Sequence, residues 1–171
     1  MAEPTLPTRV YLMLHAGKDT LATAESLTGG RLATMITDVP GVSAVYLGGV
    51  VSYATEVKIS LLGVPEELVA EHGVVSAECA VAMATGARGL TGASYALSTT
   101  GVAGPDEQEG KPVGTVYVGI AGPGFADAVA LNLAGDRPTI QEKACIRALE
   151  ELADRLSTPR TDVRRESGSL G

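Results

Sequence analysis

Apolar, partly β-branched segments alternate with segments of helical periodicity along this chain, and no other feature of the sequence restricts the fold as strongly. Helical patterns separate the first three apolar segments, so right-handed crossovers should make those strands parallel. The connection Gly122-Pro123-Gly124 instead predicts an antiparallel hairpin between the last two strands. The sequence therefore predicts an α/β fold in which helices cover both faces of a mixed sheet. The predicted strands are 20–23, 46–53, 94–100, 113–121 and 125–133.

Two of these strands have different polarity patterns. The run 46–53 is apolar almost throughout, which predicts a strand buried on both faces. In 125–133 the residues alternate in character with a weak period of two, which favours an edge or antiparallel strand. The segment 107–112 is charged, and we expect it to form a mobile loop.

The length and composition of the chain suit one domain. It has 171 residues, of which 45% are hydrophobic, and a chain of this size can bury a substantial core. Because only 4% of the residues are aromatic, Ala, Val, Leu and Ile must fill that core. We assign the domain to residues 1–157. The remaining segment, 158–171, has almost no apolar content, so we expect a disordered tail.

Charge and hydropathy argue against several classes of function. A net charge of −7 disfavours binding to nucleic acid or to an anionic membrane. No apolar run is long enough to cross a bilayer, and the N-terminus lacks the features of a secretory signal, so we expect a cytoplasmic protein. Cys79 and Cys145 are too isolated for a disulfide framework or a metal site, and we expect buried free thiols.

The stretch 24–30 is typical of a reactive turn between a strand and a helix. Ser26 lies at the predicted turn, and Gly29 and Gly30 would let the backbone approach a ligand closely. The N–H groups that open the next helix could face negative charge. The alternative is structural, since Ser26 or Thr28 could simply cap this helix.

Other reactive side chains follow the remaining parallel strands, whose carboxyl ends should meet at one edge of the sheet. Tyr53 and Lys58 follow the second strand, and Thr100 with Gly101 ends the third. Neither histidine lies near a strand end, so the base for Ser26 would be a desolvated, neutral Lys58, with Tyr53 as a bridge. The N–H groups of residues 29, 30 or 101 could stabilise an oxyanion. Each residue also has a structural alternative: a solvated lysine, a packed tyrosine ring and an ordinary turn.

Several motifs resemble the CinA C-terminal domain family, the nicotinamide-nucleotide amidases. The resemblance covers roughly residues 5–157 in order and with few gaps. It implies a three-layer α/β/α sandwich with a mixed, mostly parallel sheet of about five strands. The motifs that carry it are Ala24-Glu25-Ser26-Leu27-Thr28-Gly29-Gly30, Gly48-Gly49-Val50-Val51-Ser52-Tyr53, Glu56-Val57-Lys58, Thr100-Gly101-Val102-Ala103-Gly104-Pro105, Lys111-Pro112-Val113-Gly114-Thr115-Val116 and Gly135-Asp136-Arg137.

The resemblance also implies a reaction. The family hydrolyses the carboxamide of nicotinamide mononucleotide to nicotinate mononucleotide and ammonia, in pyridine nucleotide salvage. By the family motifs, Ser26 is the nucleophile, Lys58 and Tyr53 are base and proton relay, and Thr100 lies near the reacting group. No metal or organic cofactor is expected, because an acyl-enzyme route needs none. A homo-oligomer is expected.

Substrate contacts are less sharply indicated than the catalytic residues. Arg31 and Arg137 are candidates for the phosphate, although Arg137 could instead pair with Asp136 or cap a helix. Leu27, Thr55 and the segment Glu107-Gln108-Glu109 depart from the common family pattern. These departures leave open an alternative, a nucleotide-binding or competence-associated interaction protein without turnover. The full set of substrate-binding candidates is Thr28, Gly29, Gly30, Gly48, Gly101, Arg31 and Arg137.

Overall fold

A computed structural model describes residues 3–158 of the chain, which form five strands and six α-helices. The prediction for the tail falls almost entirely outside these residues. A single 3-10 turn, Val42–Ala44, precedes the second strand. The elements in chain order are α1 Leu6–Gly17, β1 Leu21–Glu25, α2 Arg31–Thr37, β2 Tyr46–Val51, α3 Thr55–Ser60, α4 Glu66–His72, α5 Ala77–Thr91, β3 Tyr95–Gly101, β4 Thr115–Gly122, β5 Phe125–Asn132 and α6 Arg137–Ser157.

The strands form one mixed sheet in the order β2-β1-β3-β4-β5. Strand β1 pairs in parallel with both β2 and β3, whereas β4 pairs antiparallel with β3 and β5. The predicted α/β class and hairpin are therefore confirmed. Because β1, β2 and β3 run in the same direction, their carboxyl ends lie along one edge, where α/β proteins place their ligands.

Helices pack on both faces of the sheet and produce two hydrophobic clusters. One cluster joins α1, α2 and α6 to the sheet, with Leu14 and Leu149 fully buried in it. The other joins α5 to the opposite face through buried side chains such as Ala96 and Met83. The expected three layers are thus present. Both cysteine thiols are free and buried, as predicted.

Strand β2 differs from the sequence-based expectation. It is an edge strand, and its burial alternates, with Leu47 and Val51 each 49% exposed. The prediction of burial on both faces is therefore wrong. A continuous apolar run predicts a strand but does not show whether the strand lies at the centre or the edge of the sheet. Strand β5, predicted as an edge or antiparallel strand, is both.

The described residues contain neither a helix that could cross a membrane nor a cluster of metal ligands. Among residues 3–158, no helix combines the length and apolar character needed to cross a bilayer. Within the same range, no three His, Cys, Asp or Glu side chains cluster as metal ligands would.

Candidate active site

The turn that follows β1 holds Ser26 at the carboxyl edge of the sheet. The Ser26 N–H donates to the Thr99 carbonyl at 2.9 Å, which continues the pairing of β1 with β3 by one residue. The chain then reverses through two glycines with positive φ, 57° at Gly29 and 100° at Gly30. A residue with a Cβ is disfavoured in this conformation. The glycines therefore serve the turn geometry that presents Ser26.

Glu25, the last residue of β1, caps α2 from within the protein. Its carboxylate is 1% exposed and accepts four hydrogen bonds, from the Thr28 hydroxyl at 2.6 Å and from the N–H groups of Gly30, Leu32 and Ala33 at 3.2, 2.8 and 3.0 Å. The negative charge expected at this helix N-terminus is therefore the protein's own. The prediction that Ser26 or Thr28 caps the helix is wrong, because Thr28 donates to the carboxylate that does so.

This arrangement also occupies two of the expected oxyanion donors. The Gly30 N–H donates to Glu25, and the Gly29 N–H donates to the Ser26 carbonyl at 3.1 Å. Both donors are used to hold the turn. They are consequently not free to bind an oxyanion or a phosphate in this conformation.

Lys58, on the short helix α3, reaches Ser26 from the end of β2. Its ammonium nitrogen Nζ lies 3.0 Å from Ser26 Oγ, 2.7 Å from the Ser52 carbonyl and 3.2 Å from the Tyr53 carbonyl. The side chain is 1% exposed, and no carboxylate of residues 3–158 lies within 4.0 Å of Nζ. Three acceptors satisfy its donors, but none of them carries a balancing charge.

Burial lowers the pKa of Lys58 from its ordinary value of 10.5, while interactions with Cys79 and Glu109 act in the opposite direction. A neutral amine has two N–H groups and one lone pair. Carbonyl oxygens can only accept, so the two N–H groups must be directed to Ser52 and Tyr53. The lone pair is then directed at the Ser26 hydroxyl, as a general base requires.

Tyr53 and Arg137 meet at the mouth of the site. Arg137 donates from Nη1 to the Gly104 carbonyl at 2.6 Å and from Nη2 to the Tyr53 hydroxyl at 2.9 Å. Tyr53 is 59% exposed, and within residues 3–158 its hydroxyl makes no hydrogen bond to Ser26 or Lys58. The contact of Tyr53 with Lys58 is made by its backbone carbonyl. The expected proton relay through the tyrosine ring has no contact in this structure to support it.

Thr100 and Gly101 form the wall at the end of β3. The Thr100 hydroxyl donates to the Val74 carbonyl at 2.6 Å, so its proton is already engaged. A Cβ at Gly101 would approach the Thr115 carbonyl oxygen to 2.5 Å. Glycine is therefore needed there for the close approach of β4, whatever else it does.

These elements enclose a polar cavity of about 190 Å³. It contains the predicted catalytic residues Ser26, Tyr53, Lys58 and Thr100, together with Gly101 and Arg137. A larger apolar groove of about 720 Å³ lies between α4, α5 and β5. We assign the candidate active site to the smaller cavity, because that cavity is lined by Ser26, Lys58 and Arg137, the predicted nucleophile, the predicted base and a cation.

The other predicted substrate-binding residues lie outside this cavity. Thr28 is completely buried beneath the turn, and Gly29 and Gly30 shape the turn itself. Gly48 lies in the middle of the edge strand β2. Arg31 donates to the Thr28 carbonyl at 3.3 Å and lines a separate pocket between α2 and α6. None of these five residues therefore lines the cavity that contains Ser26 and Lys58.

Gln141 supports the turn that carries Ser26, and it was not predicted from the sequence. Gln141 of α6 is 5% exposed and donates from Nε2 to the Leu27 carbonyl at 2.8 Å. It lies four residues after Arg137, so one face of the helix carries both residues. A polar residue within the apolar stripe of α6 is the signal that could have identified it. Leu27 itself packs its side chain in the core.

Fold and site together define a class, an α/β domain that places a buried lysine against a partly buried serine at the carboxyl edge of its parallel strands. The chain matches the CinA C-terminal domain family over residues 3–156 and belongs to that family. The CinA-like family includes amidases.

Similar proteins agree with this assignment. A CinA-like protein of Frankia casuarinae is 53% identical over 87% of this chain and 34% of its own length. The competence damage-inducible protein A of Klebsiella pneumoniae has a similar solved structure, with a TM-score of 0.88, 36% identity, and coverage of 91% of this chain and 97% of that one. The protein CihA of Agrobacterium tumefaciens gives a TM-score of 0.82 at 31% identity, covering 92% and 100%. The chain spans about a third of the length of the curated relatives it matches.

Proposed function

We propose that this chain is a nicotinamide-nucleotide amidase that hydrolyses the carboxamide of nicotinamide mononucleotide to nicotinate mononucleotide and ammonia. The observation that carries the reaction class is the 3.0 Å contact between Lys58 Nζ and Ser26 Oγ, made by a buried lysine that has no carboxylate of residues 3–158 within 4.0 Å. The choice of substrate rests on the family resemblance of the motifs around these residues. The cation at the mouth of the cavity supports it.

In the first half of the reaction, Ser26 Oγ forms a bond to the carboxamide carbon, and its proton passes to Lys58 Nζ. The π bond of the carbonyl opens to give a tetrahedral oxyanion. When the carbonyl re-forms, the carbon–nitrogen bond breaks, and the departing nitrogen takes the proton from Lys58 and leaves as ammonia. An ester on Ser26 remains, and Lys58 is neutral again.

In the second half, water replaces the serine. Lys58 Nζ accepts a proton from the water as its oxygen bonds to the ester carbon. The tetrahedral intermediate then expels Ser26 Oγ, which recovers that proton from Lys58. The released acid ionises to nicotinate, so the enzyme returns to its starting state with both protons and electrons balanced.

Arg137 is the proposed phosphate contact. Its partners are a carbonyl and a phenol, and no carboxylate of residues 3–158 lies within 4.0 Å of its guanidinium. Its positive charge is therefore available to an anionic group at the cavity mouth. Arg137→Met should raise KM for nicotinamide mononucleotide about tenfold or more. It should leave KM for the nucleoside, which lacks the phosphate, nearly unchanged.

The test of the reaction is hydrolysis by the purified chain. Ammonia and nicotinate mononucleotide should form in equal amounts from nicotinamide mononucleotide, and Ser26→Ala should abolish both products. Ser43→Ala changes an exposed serine and is the matched control, which should retain wild-type activity. If the wild-type chain releases no more ammonia than Ser26→Ala, the proposed reaction is wrong.

The same experiment separates the alternative of binding without turnover. That alternative predicts thermal stabilisation by the nucleotide and no product. Among the departures from the family pattern, Leu27, Thr55 and Gln108 line the cavity, while the Glu109 carboxylate binds the backbone of a neighbouring segment. They leave the 3.0 Å contact between Lys58 Nζ and Ser26 Oγ in place. We therefore favour the enzyme.

A further inference from the structure

The segment 107–112, which we expected to form a mobile loop, is hydrogen-bonded to a segment that lines one wall of the cavity. Its residue Glu109 accepts the Val74 N–H at 2.9 Å on Oε1 and the Val75 N–H at 3.0 Å on Oε2. Two successive backbone N–H groups form a concave anion site, and here a carboxylate of the same chain fills it. Lys111 donates to the Val75 carbonyl, so the loop holds this segment by both of its charges.

The backbone conformation of Glu109 and the absence of a side chain at Gly73 both permit this contact. Glu109 is one of two residues other than glycine with positive φ in the described part of the chain, at 54°. A conformation of this kind is unfavourable for a residue with a side chain and needs support from its surroundings. On the other side, a Cβ at Gly73 would lie 2.4 Å from Glu109 Oε2. Any larger residue at that position would displace the carboxylate.

The contact links two walls of the active-site cavity. Val74 and Val75 line one side, and the Val74 carbonyl accepts the Thr100 hydroxyl. Asp106 and Gln108, in the loop itself, line the cavity as well. Fastening the loop therefore places two polar side chains beside the site and holds the acceptor of Thr100.

We propose that Glu109 is a positioning residue, which clamps the loop 104–111 onto the segment 73–75 so that Asp106 and Gln108 face the hydroxyl groups of the bound substrate. This inference rests on the proposed function for its substrate but not for the clamp. Carboxylate and amide oxygens accept hydrogen bonds from hydroxyls, and the amide can also donate one. A loop held in place loses less freedom when substrate binds than a mobile loop would.

Glu109 also acts on the proposed base. Its carboxylate and Cys79 are the groups whose interactions raise the pKa of Lys58, against the lowering by burial. Removing the carboxylate charge should lower this pKa and move the acid limb of the kcat/KM profile to lower pH. A residue that only stabilised the loop through uncharged contacts would leave that limb in place.

The test compares Glu109→Gln with Glu107→Gln in the full chain. The control removes the same charge from an exposed residue of the same loop. Without any ligand, hydrogen exchange of the Val74 and Val75 amides should be about tenfold faster in Glu109→Gln and unchanged in the control, because one bond to a charged acceptor is lost. Equal exchange in the two variants would overturn the clamp, whether or not the chain hydrolyses anything.

Kinetics with nicotinamide mononucleotide test the positioning role. Glu109→Gln should lower kcat/KM about tenfold and shift its acid limb to lower pH, whereas Glu107→Gln should change kcat/KM less than twofold. Faster exchange with unchanged kcat/KM would show that the clamp is structural and overturn the positioning role. If the wild-type chain shows no turnover, the proposed function fails, and binding of nicotinate mononucleotide, measured by calorimetry in the same two variants, decides the role. Equal affinities would overturn it.

Discussion

Glu25 and Lys58 are both ionisable residues with 1% exposure, but the groups around them compensate charge to different degrees. Glu25 ends β1, and Lys58 lies on α3, the helix that follows the neighbouring strand β2. The Glu25 carboxylate accepts three N–H groups at the start of a helix and one hydroxyl. These donors satisfy both carboxylate oxygens at the N-terminus of α2. The Lys58 amine meets two carbonyls and the Ser26 hydroxyl, and no carboxylate of residues 3–158 lies within 4.0 Å of its nitrogen.

The difference shows that burial alone does not identify a reactive group. A buried charge whose partners compensate it stabilises the fold, as Glu25 does by capping α2. A buried amine whose partners also fit its neutral form can give up its proton and point its lone pair at a neighbour. In this molecule that neighbour is a serine hydroxyl, which is why the candidate site lies at Lys58 and the structural anchor at Glu25.

The most severe test of this contrast is Lys58→Arg. Arginine keeps the positive charge and the donors but does not deprotonate, so it cannot act as a base. We expect kcat/KM for nicotinamide mononucleotide to fall about 10³-fold. Lys58→Met should lose as much, and Lys143→Met, at an exposed lysine, should lose nothing. Substantial activity in Lys58→Arg would show that the charge of Lys58 matters and its basicity does not.

The matching test for the other residue is Glu25→Gln, whose main effect should be on stability. An amide of similar shape keeps one acceptor oxygen but places an NH₂ group among donors. We expect the free energy of unfolding in urea to fall by about 2 to 3 kcal/mol. Glu56→Gln, on an exposed face of α3, should change it by less than about 0.5 kcal/mol. A fall of less than 1 kcal/mol would contradict the proposed capping role.

Much of the fold could be predicted because it depends on local patterns. Apolar periodicity located the strands and helices, and the Gly-Pro-Gly connection predicted the hairpin between β4 and β5. Ligand-binding loops gather at the carboxyl ends of parallel strands, and this rule predicted from the sequence that Ser26, Lys58 and Thr100 lie close together. The structure brings these three residues to one cavity.

What could not be predicted depends on partners distant in sequence or in the backbone. Gln141 binds a carbonyl 114 residues away, and no local pattern marks such a pair. Glu109 is held by backbone N–H groups. Such groups occur in every sequence, so no residue type near Glu109 indicates that its loop is held in place, and we expected a mobile loop. The capping role of Glu25 could not be predicted, because carboxylates are seldom fully buried. Arg31 looked suitable for phosphate, but its position on α2 directs it to another pocket.

A smaller effect is expected from substitution of Gln141, which is hydrogen-bonded to the turn that follows Glu25 and carries Ser26. Gln141→Leu removes the donor to the Leu27 carbonyl but keeps the size of the side chain. We expect kcat/KM to fall about tenfold through misplacement of Ser26, with a stability loss of about 1 kcal/mol. The neighbouring variant Glu142→Gln, on the exposed side of α6, is the control. Loss of stability without loss of kcat/KM would mean that Gln141 supports α6 and not the nucleophile.

The smallest expected effect is on the pH dependence of stability. It distinguishes a Lys58 amine that folding prefers to keep neutral from one whose positive charge is compensated by its surroundings. Burial puts the pKa of Lys58 in the folded protein below its ordinary value of 10.5, so between these two values the unfolded chain binds more protons. Stability of the wild type should therefore rise with pH through this window, relative to Lys58→Met. Cys79 has the opposite effect, because its pKa is raised from 9.0 to about 11 and its contribution falls as pH increases. The Lys58 charge lowers the Cys79 pKa, so this contribution differs between the two proteins, and both are compared with Cys79→Ala in place.

The measurement is the difference in urea unfolding free energy between the wild type and Lys58→Met, at a series of pH values up to 10.5. A difference that moves in favour of the wild type as pH rises supports an amine that folding prefers to keep neutral. A difference that does not change with pH would show that the folded protein holds Lys58 charged as readily as water does. Lys58 would then resemble Glu25, and the base in the proposed reaction would have to be sought elsewhere.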